Sequence, residues 1–402
     1  MNKISLALFL SIVSFGQVLA EAQPASGQSH DMVKMWQASL ARQPLAVAAT
    51  FDAKGRLWLA SVKDGHVMVS HSDDRGETYS APVKVNSEAE LVAADGENRP
   101  KILVAGNGNV YVSYTRSLET PFAGNVRFSR STDGGKSFSA PITVNDNHEL
   151  FTHRFDTMGV NGRGQIYIAW LDKRDAAATN KKGEKYSGIA VYYAVSDDEG
   201  RSFKPNIKAT DHSCECCRIA MALDTDDYPV ITWRHIYDTN IRDHALVKLD
   251  GKMAPLRLSH ENWNIAACPH HGPSLSIASD GIYHATWFNN AGLFYAHSAD
   301  QGKTFSKPLN FGGFEAQAAH PYVLSLGSRV YLAWKEFDGN NTGIFVMESG
   351  DGGKSWSEQK RLAATSDASD NPLLISENNR AYLSWNTLKE GYRLIEMTAQ
   401  NK

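Results

Sequence analysis

The sequence predicts an all-β fold assembled from a repeated four-stranded unit, and three observations carry that prediction. A short turn motif, Ser-x-Asp-x-Gly-x-Ser/Thr-aromatic, recurs five times at long intervals. Between its copies lie strands of period-two alternation that end on an aromatic residue, most often tryptophan. The composition, with 31 glycines, 15 tyrosines and 9 tryptophans in 402 residues, is that of a turn-rich β protein. The same composition excludes other classes. Lys and Arg number 41 against 44 Asp and Glu, a net charge of −3, so a nucleic-acid partner is not expected. With 42% hydrophobic and 21% charged residues the chain is globular rather than disordered. Its 4 cysteines are too few for a disulfide-built mini-domain and enough for a staple or a metal site.

The turn motif stands at Ser72-Asp74-Gly76-Thr78-Tyr79, Ser131-Asp133-Gly135-Ser137-Phe138, Ser196-Asp198-Gly200-Ser202-Phe203, Ser298-Asp300-Gly302-Thr304-Phe305 and Ser349-Asp351-Gly353-Ser355-Trp356. Its chemistry is that of a tight hairpin: the carboxylate accepts turn N–H groups, glycine takes positive φ, and the aromatic packs beneath. The strands that end on an aromatic read 110–114, 166–170, 230–233, 282–287, 330–334 and 381–385, with Leu57-Trp58-Leu59 as a weaker first copy. Proline-led strands follow the turns at 81–85, 140–144, 204–205, 254–258 and 307–308, and proline at a strand start suits an outer edge. Each unit is therefore strand A, strand B with its aromatic, strand C, turn, strand D. The A strands start near Arg42, Arg99, Arg154, Cys217, His270, His320 and Asp370, at spacings of 57, 55, 63, 53, 50 and 50 residues. The fourth unit has the shortened turn Leu249-Asp250-Gly251-Lys252, and the seventh has room for only three strands. Residues 32–39 are expected to supply the missing strand and close a ring, which removes open sheet edges.

These motifs resemble the Asp-box, or BNR repeat, and the chain is similar over nearly its whole length to the sialidase-like Asp-box β-propellers. The resemblance implies a β-propeller of four-stranded blades. Seven blades follow from the repeat count, with six as the alternative because sialidases have six. It also implies that strand A lines a channel, that the Asp-box is a structural turn, and that D-to-A and B-to-C loops share the opposite, functional face. The cysteine pattern in two of those loops, Cys214-Glu215-Cys216-Cys217 and Cys268-Pro269, resembles that of a Cys-rich secreted subgroup.

The N-terminus reads as a signal peptide over residues 1–20. Lys3 precedes an apolar run at 4–13, and Val18-Leu19-Ala20 gives a small-residue cleavage site. The run is too short for a membrane anchor. Residues 21–402 then form a single domain, expected in the periplasm or outside the cell, with no membrane span after cleavage.

The functional face gathers the segment before each A strand and the long B-to-C loops at 172–186 and 234–244. Cys214 lies three residues before Cys217, and Cys268 three before His271. Cys217 and His271 both stand sixteen residues before the tryptophan of their unit, at equivalent places on adjacent blades. Cys214, Cys217, Cys268 and His271 are therefore a candidate ligand set for copper or zinc, with Cys216, His270, His153 and His320 as alternatives. The competing expectation is a disulfide from the Cys214–Cys217 cluster to Cys268, stapling two blades, or a redox pair. A second candidate is the row Arg42, Arg99, Arg154 and Arg218, which opens four successive units and suits an anion such as a carboxylate. Those arginines can instead pair with Asp172, Asp175, Asp238, Glu336, Asp338 or Asp370.

The sialidase resemblance implies three arginines on a substrate carboxylate, a tyrosine nucleophile activated by a glutamate, and an aspartate acid/base. Arg42-Gln43-Pro44 is a partial match to the first arginine motif, and Tyr322 and Tyr382 are the candidate tyrosines. The catalytic set is incomplete by motif, and fold alone does not carry function. The expectation is an exported propeller that binds a ligand at the channel mouth, in favoured form a Cys/His metal site. Its alternatives are an exo-glycosidase acting on an acidic sugar or glycan, and a scaffold for a protein partner with structural disulfides.

Overall fold

The computed structural model describes residues 43–397. The signal peptide expected at 1–20, the strand expected at 32–39 and Arg42 lie outside those residues. Every sheet is an antiparallel meander in which each strand bonds to the next in sequence. Six sheets have four strands, and the last has three, Leu373–Glu377, Arg380–Thr387 and Gly391–Glu396. The inner strands are Ala48–Phe51, Lys101–Val104, His153–Val160, Ala220–Leu223, Ser274–Ile277, Ala319–Leu326 and Leu373–Glu377. Each packs beside the next, and the seventh packs beside the first, so the sheets form a closed seven-bladed β-propeller.

The core lies between the blades. Trp170, Trp233, Trp287, Trp334 and Trp385 occupy the same place on successive second strands and are fully buried. Trp58 does the same work in blade one, packing against Val110, Val112 and Tyr114 of blade two. Burying one such ring stabilises by very roughly 2–3 kcal/mol, and the period of the repeat delivers one to each of blades three to seven. Four of the six outermost strands are short, Val83–Lys84, Ile142–Thr143, Leu256–Arg257 and Leu309–Phe311, and each starts just after its proline rather than on it; Ile207–Ser213 and Lys360–Thr365 are longer. Proline has no N–H to give to the ladder, so pairing begins where the first donor appears.

The repeated turn is built from its side chains. In blade two, Ser131 Oγ accepts the Gly135 N–H at 2.9 Å and donates to Asp133 Oδ1 at 2.7 Å. Asp133 in turn accepts the Ser137 N–H at 3.0 Å and the Ser137 hydroxyl at 2.6 Å. The glycine has a second reason besides its φ of 81°. A Cβ on Gly135 would stand 2.5 Å from the Trp58 ring of blade one, one on Gly200 2.3 Å from Phe128 of blade two, and one on Gly302 2.9 Å from Leu246 of blade four. The turn therefore caps the core of the preceding blade, and only hydrogen fits at the contact.

The segment 172–186, expected as a long B-to-C loop, contains a helix, Arg174–Lys181. Asp172 Oδ1 accepts the Arg174 N–H at 2.9 Å, Asp175 sits in the first turn and Lys181 in the last. Three successive alanines propagate it, and the end charges suit the helix dipole. Among the described residues, no helix is long and apolar enough to cross a membrane.

Two outcomes test this account. Gly134 and Gly135 both have positive φ, but a Cβ on Gly134 meets nothing within 4 Å. Gly135→Ala should therefore lower the urea midpoint clearly more than Gly134→Ala, and equal losses would remove the inter-blade contact from the explanation. The second concerns acid. The hydroxyls of Ser137 and Thr304 hold the Asp133 and Asp300 carboxyls down at about 2. A carboxyl depressed on folding adds stability above its unfolded value, and that stability disappears as pH falls from about 4 through about 2. Asp133→Asn/Asp300→Asn should thus lose less stability than wild type on acidification across that window, measured by denaturant unfolding.

Candidate metal centre

The mouth face is organised by two buried carboxylates. Asp370, at the entry to blade seven, takes a bidentate pair from Arg99 of blade two, at 2.8 and 2.9 Å. Asp370 Oδ2 also accepts the Val47 N–H at 3.0 Å, and Arg99 donates to the Val47 carbonyl at 2.9 Å. Glu97, two residues before Arg99, reaches the far side of the ring. It accepts from Arg218 of blade four at 2.7 Å, from the Gly272 N–H of blade five at 2.8 Å, and from His320 Nδ1 of blade six at 2.7 Å. Burial alone would raise the Glu97 carboxyl; the Arg218 guanidinium and the His320 imidazole instead hold it well below its usual range. Arg218 is completed by the carbonyls of Pro273 and Pro321, at 3.0 and 2.8 Å.

Two of the three described arginines of the row thus hold structural carboxylates, and Arg154 holds none. In blades three and six the inner strand is bulged at its mouth end, and Phe155 and His320 take φ of 59° and 53° there. Such bulges re-aim side chains beside a site.

The cysteines meet where blade three passes into blade four. The Cys214 N–H donates to the Arg234 carbonyl at 2.8 Å, which ties the end of one outer strand to the neighbouring second strand. The chain then turns, and Cys214, Cys216 and Cys217 bring their sulfurs together, buried, within 4.8 Å of one another. Cys214 Sγ stands 3.8 Å from Cys216 Sγ and 4.0 Å from Cys217 Sγ. Cys268 is exposed on the next loop and lies outside that tight group, although the thiols of Cys214 and Cys216 act on it electrostatically. No disulfide joins any of the four, and the sulfur separations are about twice the bonded distance of roughly 2 Å.

Two arginines frame the cluster. Arg242 donates to Cys214 Sγ at 2.9 Å and to the Ile265 carbonyl at 2.9 Å, so one guanidinium fixes both the thiol cluster and the loop that carries Cys268. Arg234 is fully buried and donates to the carbonyls of His271 and Phe288 at 2.9 and 2.8 Å. The thiols of Cys216 and Cys217 donate toward Cys214 and pull its proton affinity down. Those of Cys214 and Cys216 do the same for Cys268. Cys217, donating to Cys214 and buried, is pushed up to about 11. Both shifts run toward the thiolate, the form that binds metal.

The candidate histidines are placed differently. His271 Nδ1 faces His320 Nδ1 at 3.5 Å, and burial lowers His271 to about 3, so it stays neutral beside the Glu97 network. His153 is fully buried, with Nδ1 2.9 Å from the Gly124 carbonyl, and His270 is exposed with φ of 56°. Tyr322 packs on the apolar cluster of blades six and seven, and Tyr382 is buried with its ring centroid 5.4 Å from that of Phe51. Glu97, Arg234 and Arg242 were not singled out from the sequence. The one available signal for the arginines was their place in the 234–244 loop.

Comparison with protein-family models gives no match, and neither does comparison with curated proteins. Solved structures do match. A polysaccharide lyase, an ulvan lyase, has a TM-score of 0.56 at 11% identity, over 88% of this chain and 92% of its own. An α-L-arabinofuranosidase from Fusarium graminearum has a TM-score of 0.52 at 12% identity, over 80% and 94%. A microbial sialidase scores 0.49 at 14% identity, over 85% and 76%. The likeness to the first two is one of fold: β-propellers that carry glycan-acting enzymes.

The Arg99–Asp370 pair gives a direct test of the mouth. Removing one partner of a buried ion pair typically costs about 3–5 kcal/mol. Arg99→Ala should lose stability on that scale in urea unfolding. Because the two residues share one network, Arg99→Ala/Asp370→Ala should lose less than the two single substitutions added together.

Proposed function

We propose that the protein is an exported Asp-box β-propeller that holds a copper or zinc ion at its channel mouth. In this reading Cys214, Cys216 and Cys217 are the buried ligands, and Cys268 is the fourth, exposed one. The observation that carries it is the sulfur spacing. Sulfurs about 2.3 Å from a central ion stand about 3.8 Å apart in a tetrahedron and about 4.0 Å apart in a triangle. The separations of 3.8 and 4.0 Å match those edges before any ion is placed. An all-sulfur set suits copper(I) or zinc over harder cations. Four protein sulfurs leave no open position for a substrate, which favours holding a metal over metal catalysis. Cys216 takes the place that sequence spacing gave to His271, because His271 turns toward His320.

The test is elemental analysis of residues 21–402, exported natively and purified under reducing conditions without chelator or metal column. Wild type should carry a stoichiometric amount of copper or zinc. Cys214→Ser, Cys216→Ser and Cys217→Ser should lose it while circular dichroism stays unchanged, and His271→Ala should keep it. Metal retained in the cysteine variants, or absent from the wild type after reduction and reloading, would end this reading.

A further inference from the structure

The four cysteines divide into sulfurs that solvent cannot reach and one that it can. Cys214, Cys216 and Cys217 are buried, at 1%, 7% and 2% exposure. Cys268 is exposed, and so are the two small residues before it, Ala266 and Ala267. A buried thiol is inert toward a molecule in solution, whereas an exposed one is open to attack and exchange.

The segment that carries Cys268 is a strap fixed at both ends. At one end the Ile265 N–H donates to the Asn240 carbonyl at 3.0 Å, and Arg242 donates to the Ile265 carbonyl at 2.9 Å. At the other end Arg234 donates to the His271 carbonyl at 2.9 Å, and the Gly272 N–H donates to Glu97 at 2.8 Å. Between these pins, among the described residues, no main-chain hydrogen bond holds residues 266–270. Cys214 is anchored otherwise, by its N–H on the Arg234 carbonyl at 2.8 Å and by Arg242 on its sulfur at 2.9 Å. Cys268 can therefore move relative to the buried sulfurs without breaking any bond that positions them.

We propose that Cys268 is a relay, which takes copper(I) from a thiol-bearing carrier, passes it to the three buried sulfurs, and returns it by the same route. This rests on the metal reading above and adds to it the class of partner. Copper(I) prefers soft sulfur ligands, so it passes most readily from one sulfur to another. A carrier cannot touch the buried thiols, so the first new bond to the ion comes from Cys268. In that step the Cys268 sulfur bonds the copper and gives up its proton, the bond from copper to the carrier sulfur breaks, and that sulfur takes the proton. The buried sulfurs then bond in turn and release their protons to solvent. The copper stays monovalent throughout, so no oxidant or reductant is required.

The experiment uses residues 21–402, reduced, metal-free and kept without oxygen. One equivalent of copper(I) is supplied bound to glutathione, or bound to a peptide carrying Cys-x-x-Cys, and copper on the protein is measured over time. Cys268→Ser should load more slowly than wild type by about tenfold or more, yet reach the same final content, because the buried thiols still hold the ion. Return of copper to excess carrier should slow likewise, since the two directions share one path. Cys268→Met, which keeps a soft sulfur at the surface, should fall between the two. A deficit with glutathione names small thiols as a source, and a deficit with the peptide alone names protein thiols. Uptake by Cys268→Ser as fast as wild type with both donors would overturn the relay. So would a lower final content, which would make Cys268 a ligand the site needs, or a Cys268→Met protein slower than Cys268→Ser. A wild type that takes copper from neither donor, nor from copper(I) added in acetonitrile, fails at the metal reading itself, and the relay falls with it.

Discussion

A ring of seven sheets must close without a covalent bond, and the buried pair of Arg99 with Asp370 supplies the contact on which that closure depends. Asp370 begins the last blade, Arg99 the second, and both hold the main chain of Val47 at the start of the first. Three blades therefore share one ion pair. Burial pushes the Asp370 carboxyl up against the pull of Arg99, so the pair does not stabilise by charge alone. What it adds is specificity: the bonds of Asp370 and Arg99 to the main chain of Val47, and of Arg99 to the Asn371 carbonyl, form only when the ends of the ring are in register. Glu97 performs the same task across the channel for blades four, five and six. Between them the two carboxylates engage six of the seven blades.

This division explains how residues at the same place in the repeat come to differ in chemistry. Arg99, Arg154 and Arg218 open successive blades and look alike in the sequence. What separates them is whether a carboxylate on another blade reaches them. Neighbouring glycines let two of them lie flat against main chain: a Cβ on Gly272 would stand 2.2 Å from Arg218 Cγ, as one on Gly124 would from Arg154 Cγ at 2.8 Å. Both arginines thus lie against main chain, but only Arg218 meets a carboxylate. Position in the repeat fixes where the side chain starts, and the partner across the ring decides whether it is paired.

The same logic sets what could be read from the sequence. The blade count, the order of strands and the turn motif were legible because each depends on contacts within a unit or with its neighbour, and these repeat. The equivalence of Cys217 and His271 was legible for the same reason, and it holds in the register, where Ala220 faces Thr232 and Ser274 faces Thr286. The thiol cluster was legible in part, since a tight run of cysteines has few ways to separate. What spacing could not give was the direction of each side chain once it leaves the repeat. Glu97 meets Arg218 across 121 positions and Arg99 meets Asp370 across 271, and nothing periodic links those pairs. His271 faces His320 for that reason. The helix Arg174–Lys181 was hidden differently: at two turns it is too short to show an amphipathic period.

The two faces of the propeller can therefore change separately. On one face, side-chain-built turns seat their glycines on the preceding blade, and any substitution there acts on stability. On the other, the cysteines lie on irregular segments, and their geometry depends on the arginines that pin those segments. Arg242 joins Cys214 to Ile265, and Arg234 joins the same region to His271 and Phe288. The cluster is thus held by hydrogen bonds between loops, not by a strand. Glycan-acting enzymes and a thiol cluster can occupy one architecture because the scaffold fixes where loops begin and end and leaves open what they carry. It follows that a loop can acquire its own chemistry here without disturbing the ring, provided that the carboxylates closing the ring keep their partners.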